Sequence, residues 1–515
     1  MNERLKTLLQ QKKYFVVLLP LVFILHGYNA FFGFFPGSFI LLNFFAVLIS
    51  LLFIYIPFSF ILRNSRKAAI FSFWLMVFML SFGYIHDSIK KITGDGFLSS
   101  YKFVIPASLI FFLFIISFIK KRNTSFNRQF LFINMLMLVL LTIEIAEGII
   151  QLSKLKTKQQ LLDNRFAAMK QAKIKNPIAD SVKPDIYFLV FDALPSSNAM
   201  KQEWGFDNSS LDSFLLKENF YVHPASKSNY NLTALSVSST LNMDYVPPVD
   251  LYQDETKMYF KASASLLDNS LTRILNEQGY EIKQYQPISF VNKDWNGKLF
   301  FADMLYMNYF YQTLPGRIYR DLGWNLSRLN MKIINKRNLK KYLTRNLSLK
   351  NDLEQTKLLI EKTCDLQNEK KQFIYAHFVL PHEPFIYDSL GNLKPTEKTI
   401  VHTEAEEPGA FIEQVKFANK IIQDIVLYIK KNNQKNTVIV IEGDHGYRNI
   451  NGKKGYMIFD NFSAVYFPDN DYKQHYPTMS PVNSFRLILN KFYAANLPLL
   501  KDSSIFIPYT LPRKK

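Results

Sequence analysis

Cysteine is almost absent from this 515-residue chain, whose single example is Cys364. One cysteine excludes an intrachain disulfide, so any part of the chain outside the cytoplasm must be stable through its hydrophobic core alone. Acidic residues are also scarce, because 42 Asp and Glu stand against 62 Lys and Arg, a formal net charge of +20. That excess suits work beside anionic lipid or on a phosphorylated substrate. It would also suit nucleic acid, but the sequence contains no nucleic-acid-binding motif.

Charged residues nearly vanish from several long windows before residue 153, where a large share of the 47 Phe residues lies. Five apolar stretches there approach the length of about 20 residues that a helix needs to cross a bilayer. Buried helices of a soluble core are the alternative, but such helices rarely lack a polar face five times in succession. We therefore predict a five-helix transmembrane domain over residues 1–153, with spans at 14–35, 39–62, 68–85, 103–119 and 130–152.

Basic residues cluster on one side of these predicted spans. They precede the first span and fill the connections between the second and third and between the fourth and fifth, whereas the loop 34–38 has no charge. The positive-inside rule then puts the amino terminus in the cytoplasm and everything after residue 153 on the periplasmic or extracytoplasmic side. The first span is long and lacks a small-residue cleavage site, so we interpret it as a retained anchor and not as a signal peptide. The predicted location is the inner (plasma) membrane, with multiple passes.

Two carboxylates, Glu144 and Glu147, lie near the outer end of the fifth predicted span. Acidic residues inside a membrane are functional candidates by default. A position without a functional role is at least as good an interpretation here, because that end of the span should lie at the membrane interface, where acidic residues are tolerated.

The composition changes sharply after Ser153. Residues 154–183 are predicted to form a polar linker that contains a surface helix and leads away from the membrane. From residue 184 to 515, apolar runs of strand length alternate with longer helical patterns, which is typical of an α/β domain. Three of these runs, at 186–191, 373–379 and 437–441, matter for function, and the first is continuous and apolar, as is typical of a strand buried on both faces.

Each of these three predicted strands leads into polar residues that can bind a metal. The first ends in Asp192, the second runs into Pro-His382-Glu-Pro, and the third runs into Gly-Asp444-His445-Gly. In open α/β sheets, ligands bind outside the carboxyl ends of the strands. One such strand would be weak support, but three in a single domain predict a shared site.

A fourth segment, residues 228–242, offers a nucleophile. Asn229 or Asn231 can cap a helix there, which would leave Thr233 in the first turn, where the helix dipole favours an incoming phosphate or sulfate. A hydroxyl is a poor nucleophile at neutral pH unless a divalent metal activates it. Taken in isolation, the segment could equally be an ordinary helix rich in Ser and Thr.

The order of these motifs resembles the sulfatase-like branch of the alkaline-phosphatase superfamily. It most resembles the membrane-anchored group of lipoteichoic acid synthases and lipid A phosphoethanolamine transferases, which have five spans before an outer catalytic domain. The resemblance implies a mixed central sheet flanked by helices, and it covers nearly the whole chain. The residues that carry it are Asp-Ile-Tyr-Phe-Leu-Val-Phe-Asp192, Ser-Asn-Tyr-Asn-Leu-Thr233, Pro-His382-Glu-Pro-Phe, Gly-Asp444-His445-Gly, Gln414 with Asn419, and Ser-Pro-Val-Asn-Ser-Phe-Arg486.

The resemblance also implies roles for individual residues. One divalent cation, Mn²⁺, Zn²⁺ or Mg²⁺, would be held by Asp192, Thr233, Asp444 and His445, and Thr233 would form a phospho-threonine intermediate. His382 would contact the transferred group or protonate the leaving oxygen. Two further residues have two interpretations each. Arg448 either clamps phosphate or is a plain surface arginine, and His377 either supports the site or, as we prefer, is a buried structural histidine.

Three departures from the family narrow the chemistry. The first metal position holds Asp192, where the lipoteichoic acid synthases and phosphoethanolamine transferases have Glu, so the donor is not specified. The chain lacks the Cys/Ser-x-Pro-x-Arg motif of the formylglycine sulfatases, since Cys364 lies in Lys-Thr-Cys-Asp-Leu and no Pro-x-Arg follows Thr233. Two-metal phosphodiesterases of the superfamily carry an Asp-x-x-x-His motif before the Asp-His pair. This chain has no such motif between Thr233 and Asp444, and Asp471 with His475 comes too late, so a single metal is expected.

Three hypotheses about function follow. The leading one is a phosphotransferase that moves a phospho-substituent from a membrane phospholipid headgroup to a cell-envelope glycan or lipid. The second is a hydrolase, a phosphodiesterase or sulfuric ester hydrolase, in which water enters the position of the acceptor hydroxyl. The third is a non-catalytic envelope scaffold, which the complete set Asp192, Thr233, Asp444 and His445 disfavours. Nucleic acid is not an expected partner.

Overall fold

The computed structural model of the chain describes residues 3–30, 37–94, 96–153, 182–246, 269–285, 309–319, 335–365, 370–395, 407–432, 436–448 and 457–507, with a few short stretches between them. The predicted linker 154–183 therefore lies almost wholly outside the described residues. The chain divides into two compact units. The first consists of Met1–Gln159, Val291–Ile333 and Leu511–Lys515, and the second of Gln160–Phe290 and Ile334–Thr510.

Six helices make up most of the first unit. Four of them, α3 to α6, are long and apolar enough to cross a membrane, and α1 with α2 adds a fifth span if that pair, bent by 88°, is counted as one. The predicted spans two to five fall within α3 to α6, and the first falls on α2. The helices are α1 (Glu3–Gln11), α2 (Phe15–Ala30), α3 (Ser38–Leu62), α4 (Ser65–Thr93), α5 (Tyr101–Lys121) and α6 (Asn127–Ser153).

Large apolar side chains point outward from these helices. On α3, Leu42 is 73% exposed, and Phe53 and Phe60 are each 76% exposed. Continuous exposure of this kind would be unfavourable in water, and it suits a helix whose solvent is the hydrocarbon core of a bilayer.

Polar side chains inside this unit tie its helices together. The amide of Asn134 accepts a hydrogen bond from the Phe15 N–H and donates to the carbonyls of Leu9 and Lys12, so it fixes the bend between α1 and α2. Glu144 is buried and accepts from the Asn29 amide at 2.9 Å, with His26 Nδ1 2.8 Å away. Glu144 thus links α2 to α6 from a buried position, whereas the alternative to a functional role is an acidic residue tolerated at the membrane interface.

The segment 309–319 follows the third strand of the second unit in sequence but packs within the first unit. A Cβ on Gly27 would lie 2.1 Å from the Tyr309 ring, so glycine is needed there for close packing. The Gly83 N–H donates to the Gln312 carbonyl at 2.8 Å. Arg317 forms an ion pair with Asp87 near the end of α4. A short antiparallel ladder pairs Asn292–Lys293 with Leu299–Phe300 in the same part of the chain.

The second unit is built on a six-stranded mixed sheet. Its spatial order is β2-β6-β5-β1-β4-β3; β1, β3, β4 and β5 are parallel, and β6 is antiparallel to both neighbours. All three predicted strands are present, as β1, β4 and β5. The strands are β1 (Asp185–Phe191), β2 (Phe220–Val222), β3 (Glu281–Tyr285), β4 (Gln372–Phe378), β5 (Thr437–Gly443) and β6 (Ser463–Tyr466).

Helices cover both faces of this sheet, because alternate residues of the central strands enter two separate cores. Tyr187 and Leu189 of β1 pack with α7, α8, α11 and α12, whereas Ile186 and Phe188 pack with α9, α10 and α13. The expected fold, apolar helices followed by an α/β domain with a mixed central sheet, is confirmed. The helices are α7 (Ser197–Trp204), α8 (Ser209–Lys217), α9 (Thr233–Asn242), α10 (Ser270–Glu277), α11 (Asn335–Asp365), α12 (Glu407–Asn432) and α13 (Ser484–Tyr493).

Candidate metal centre and nucleophile

The site lies where β1 and β5 end. Phe191 is paired with Gly443 in the parallel register, so Asp192 and Asp444 leave adjacent strands at the same level. Nε2 of His445 lies 3.5 Å from Oδ1 of Asp192 and 3.5 Å from Oδ2 of Asp444, and all three side chains are buried. They form the group of potential metal ligands found in the described part of the chain.

Thr233 joins this group as the first residue of α9. Its Oγ1 lies 3.4 Å from Nε2 of His445. The expected helix start is therefore correct, but the expected cap is wrong. Leu232 occupies the N-cap position without a side-chain hydrogen bond, and the amides of Asn229 and Asn231 bind residues near the end of the chain instead.

Hydrogen bonds fix which atoms of these side chains face one another. Oδ1 of Asp444 accepts from the N–H groups of Ala193 and His445 at 2.9 and 3.0 Å. Nδ1 of His445 donates to the Gly446 carbonyl at 2.7 Å, which leaves the lone pair of Nε2 for the site. Among the described residues, Oδ1 of Asp192 and Oδ2 of Asp444 are buried without a hydrogen-bond partner. Buried acceptors of this kind are costly unless a cation is bound between them.

The spacing of the four side chains also suits a metal ion. Ligands at about 2.1 Å from a tetrahedral ion lie about 3.4 Å from one another. The three separations from His445 Nε2, to Thr233, Asp192 and Asp444, are 3.4, 3.5 and 3.5 Å. Two carboxylates, a hydroxyl and an imidazole can hold Zn²⁺, Mn²⁺ or Mg²⁺.

Electrostatics favour the ligand forms of these groups. Burial, together with the positive charge of Arg448, lowers the pKa of His445 to about 4, so the imidazole is neutral at pH 7. Burial alone would raise the pKa of Asp192, but the electrostatic influence of His382 and the contact with His377 hold it below its ordinary value. Asp192 is therefore ionised.

His382 and Arg448 lie together beside this cluster. His382 follows β4, its Nδ1 donates to the Glu383 carbonyl at 2.7 Å, and its Nε2 accepts from Arg448 at 2.9 Å. Gln414 on α12 supports the loop by donating to the carbonyls of Pro381 and His382 at 3.0 and 3.2 Å. The pair can present an imidazole and a guanidinium to one phosphate group.

His377, for which the sequence left a supporting role open beside the preferred structural one, lies next to the site. It lies on β4 beside Val190 of β1, is buried, and places Nε2 3.8 Å from Oδ2 of Asp192. Its Nδ1 is 2.9 Å from the Tyr375 hydroxyl, and Nε2 has no hydrogen-bond partner in the described chain. The sequence contains a pattern that points to this residue: His377 is a polar side chain in an otherwise apolar strand, and it lies on the same face of the strand as Tyr375.

These features define an α/β enzyme with a hydroxyl, two carboxylates and two histidines gathered at the carboxyl edge of a mixed sheet. The model of the family described as "Sulfatase" matches residues 198–484, more than half of the chain. The chain belongs to the sulfatase family and is a sulfatase-like transferase or hydrolase of the alkaline-phosphatase superfamily. The match contains Thr233, His382, Asp444 and His445 and begins six residues after Asp192.

No curated protein sequence matches the chain. Solved structures that resemble it include the integral membrane protein lipooligosaccharide phosphoethanolamine transferase A from Neisseria meningitidis, with 14% identity, 93% of this chain and 95% of that chain covered, and a TM-score of 0.37. Another is the C-terminal periplasmic domain of EcEptC from Escherichia coli in complex with Zn, with 10% identity, coverage of 61% and 84%, and a TM-score of 0.36. A third is the C-terminal periplasmic domain of phosphoethanolamine transferase EptC from Campylobacter jejuni, with 12% identity, coverage of 62% and 96%, and a TM-score of 0.32. At these values the likeness does not decide the activity.

Proposed function

We propose that the protein is a metal-dependent phosphotransferase that moves a phospho-substituent from a phospholipid headgroup to an envelope glycan or lipid through phospho-Thr233. The observation that carries the proposal is the position of Thr233 Oγ1, 3.4 Å from His445 Nε2 in a buried cluster with Asp192 and Asp444. A hydroxyl among metal-ligand side chains, at the start of a helix, is suited to attack phosphorus.

In the proposed reaction, the Thr233 oxygen forms a bond to phosphorus while the bond from phosphorus to the lipid alcohol breaks. A bound divalent cation, Mn²⁺, Zn²⁺ or Mg²⁺, held by Asp192, Thr233, Asp444 and His445, would supply the charge that favours the threonine alkoxide. Thr233 gives its proton to solvent, and His382 Nε2 takes one up from solvent once Arg448 turns to the phosphate; His382 then gives that proton to the leaving oxygen. The acceptor hydroxyl then attacks phosphorus, and Thr233 regains a proton as it leaves.

The proposed organisation keeps a membrane domain at 1–153, a linker at 154–183 and a catalytic domain at 184–515, within which 291–333 is an insertion. Positive-inside charge supports a cytoplasmic amino terminus and a catalytic domain on the extracytoplasmic side of the inner membrane. A site in that compartment, on a chain anchored by several spans, has access to a phospholipid donor and to an envelope acceptor, which favours transfer over hydrolysis. Nucleic acid is not a proposed partner.

Formylglycine sulfatase chemistry is not supported by the position of Cys364. This residue lies on α11, is buried, and has its Sγ 3.3 Å from the Tyr187 hydroxyl in the core on the opposite face of the sheet from α9. A sulfatase-like hydrolase that uses Thr233 remains the second candidate, favoured by membership of the sulfatase family.

Intact-mass spectrometry tests the proposal. Detergent-purified protein with Mn²⁺ and either phosphatidylethanolamine or phosphatidylglycerol is expected to gain a covalent increment of the corresponding headgroup phosphate on Thr233. Thr233→Ala should abolish the increment, whereas Thr240→Ala, a buried threonine on the same helix, should retain it.

Other outcomes identify the alternatives. Release of the headgroup phosphate into water without transfer to an added glycolipid would indicate the hydrolase. A metal-bound, folded protein that forms no adduct and turns over neither lipid would contradict the proposal and favour the scaffold.

A further inference from the structure

The last described part of the chain, residues 497–507, is held by asparagine side chains in a repeated way. We call this segment the C-terminal strap. Three asparagines each use both ends of the side-chain amide to pair with the backbone N–H and C=O of one strap residue, at distances of 2.6 to 2.9 Å. The pairs are Asn490 with Leu497, Asn483 with Leu500, and Asn231 with Ile507.

The third of these pairs lies two residues before Thr233. Asn231 is 2% exposed, and its amide donates to the Ile507 carbonyl at 2.9 Å and accepts from the Ile507 N–H at 2.8 Å. The strap continues along the same segment, because the Ile505 N–H donates to the Asn229 carbonyl and the Ser504 hydroxyl to the Ser228 carbonyl. Residues 228–231 therefore have the strap as a hydrogen-bonded neighbour.

The motif Ser-Pro-Val-Asn-Ser-Phe-Arg486 connects the strap to both ends of α9. Before the helix, the Val482 N–H donates to Oδ1 of Asn229 at 2.8 Å. After the helix, Arg486 donates to the carbonyl of Met243, the C-cap residue, at 2.7 Å and to the carbonyl of strap residue Pro498 at 2.6 Å. The helix that carries the nucleophile is thus fixed at its two termini by the same structure.

This arrangement matters because the start of α9 has no side-chain cap of its own. A capping side chain normally fixes where a helix begins and how the chain enters it. At Leu232 that bond is missing, and the residue before it, Asn231, is held by its two hydrogen bonds to the strap. An error of about 1 Å in the position of a reacting atom can cost about 100-fold in rate.

We propose that Asn231 is a positioning residue, and that its pairing with Ile507 of the C-terminal strap holds the Thr233 hydroxyl in place beside Asp192, Asp444 and His445. The inference rests on the proposed role of Thr233 as nucleophile. It gives the end of the strap, residues 504–507, and the motif 480–486 a function in the reaction, in addition to their contribution to stability.

Asn231→Ala and Asn490→Ala are a matched pair, since each removes two hydrogen bonds between one asparagine and one strap residue. In single-turnover experiments on the full-length protein with Mn²⁺ and phosphatidylethanolamine or phosphatidylglycerol, Asn231→Ala is expected to slow adduct formation at saturating lipid about 10- to 100-fold. The lipid concentration at half-saturation should change less than threefold. Asn490→Ala should remain within threefold of wild type in both quantities, and Asn231→Asp, which keeps the acceptor for the Ile507 N–H, should fall between.

Equal slowing in both alanine variants, or no slowing in Asn231→Ala, would overturn the inference. Hydrogen exchange of residues 228–236 keeps the test independent of the proposed chemistry. If wild type forms no adduct, the proposed function fails. Asn231→Ala should even then speed exchange in this peptide at least tenfold and weaken Mn²⁺ binding, while Asn490→Ala does neither. Unchanged exchange and Mn²⁺ affinity in Asn231→Ala would refute the positioning role.

Discussion

At the scale of single residues, the site depends on side chains with two polar atoms, one of which is held by the backbone. Asp444 accepts two backbone N–H groups on Oδ1, so Oδ2 is directed to its neighbours. His445 is held through Nδ1 by the Gly446 carbonyl, so Nε2 is directed the same way. Ligand orientation is thus set before any metal binds, which reduces the cost of assembling the site.

His377 extends this logic, because its free Nε2 lies 3.8 Å from Asp192 while Tyr375 holds its other nitrogen. We predict that His377→Ala lowers the affinity for Mn²⁺ or Zn²⁺ by about 10- to 100-fold, as loss of a residue that orients a ligand does. Isothermal titration calorimetry measures the change, and His223→Ala serves as the control, since His223 is a buried histidine elsewhere. Wild-type affinity in His377→Ala would restore the interpretation as a purely structural histidine.

At the scale of elements, the site forms because β1 and β5 end at the same level and because neighbouring backbone segments pack closely against the residues that follow β5. The Leu194 carbonyl accepts the Phe462 N–H at 2.9 Å and lies 2.1 Å from where a Cβ on Gly443 would be. A Cβ on Gly446 would likewise lie 1.7 Å from the Met457 carbonyl oxygen. Both glycines of Gly-Asp444-His445-Gly are therefore required by neighbouring backbone.

We predict that Gly443→Ala displaces Asp444 and costs about 1 to 3 kcal/mol of unfolding free energy, the usual cost of overpacking. Metal affinity should fall with it. The control is Gly409→Ala on α12, where nothing lies within 4 Å of the new methyl group, so stability should be unchanged or slightly higher. Thermal unfolding with and without Mn²⁺ compares the two variants, and equal melting temperatures would show that the backbone around Gly443 can relax.

The strands that carry the site could be predicted from the sequence, because the pattern that marks each strand lies within the strand itself. The three site strands are largely apolar runs that each lead into a polar motif, and the structure has each within two residues of its predicted bounds. The roles of Asn229 and Asn231 were not predictable, because Val482 and Ile507, which they bind, lie more than 250 residues away and a cap is the usual role of such residues. The packing of 309–319 against Gly27 and Gly83 is equally long-range.

At the scale of the whole molecule, stability depends on buried groups that change charge between pH 8 and pH 4. His223 and His475 face each other at 3.1 Å beside Ser463, Tyr221 and Lys491. Burial and repulsion from His475 together lower the pKa of His223 to about 3, and burial together with Lys491 lowers the pKa of His475 to about 4. Glu442 affects the pH dependence of stability in the opposite direction, because burial raises the pKa of its carboxyl group to about 8.

The sign of the histidine contribution follows from these shifts. The unfolded chain binds protons at both histidines as the pH falls below about 6.5, while the folded protein does not until about pH 4, so each histidine removes about 1.4 kcal/mol of stability per pH unit in that window. Glu442 adds stability on acidification between pH 8 and about pH 4.5, so the pH dependence of wild-type stability alone mixes the two effects.

We therefore predict that His475→Gln is less stable than wild type at pH 7.5 and that the difference narrows steadily between pH 6.5 and pH 4.5. Melting temperatures of the two proteins in the same detergent measure that difference. Parallel curves across the window would mean that His475 takes up its proton over the same pH range in the folded and the unfolded protein, because only a difference in bound protons between the two states makes stability depend on pH.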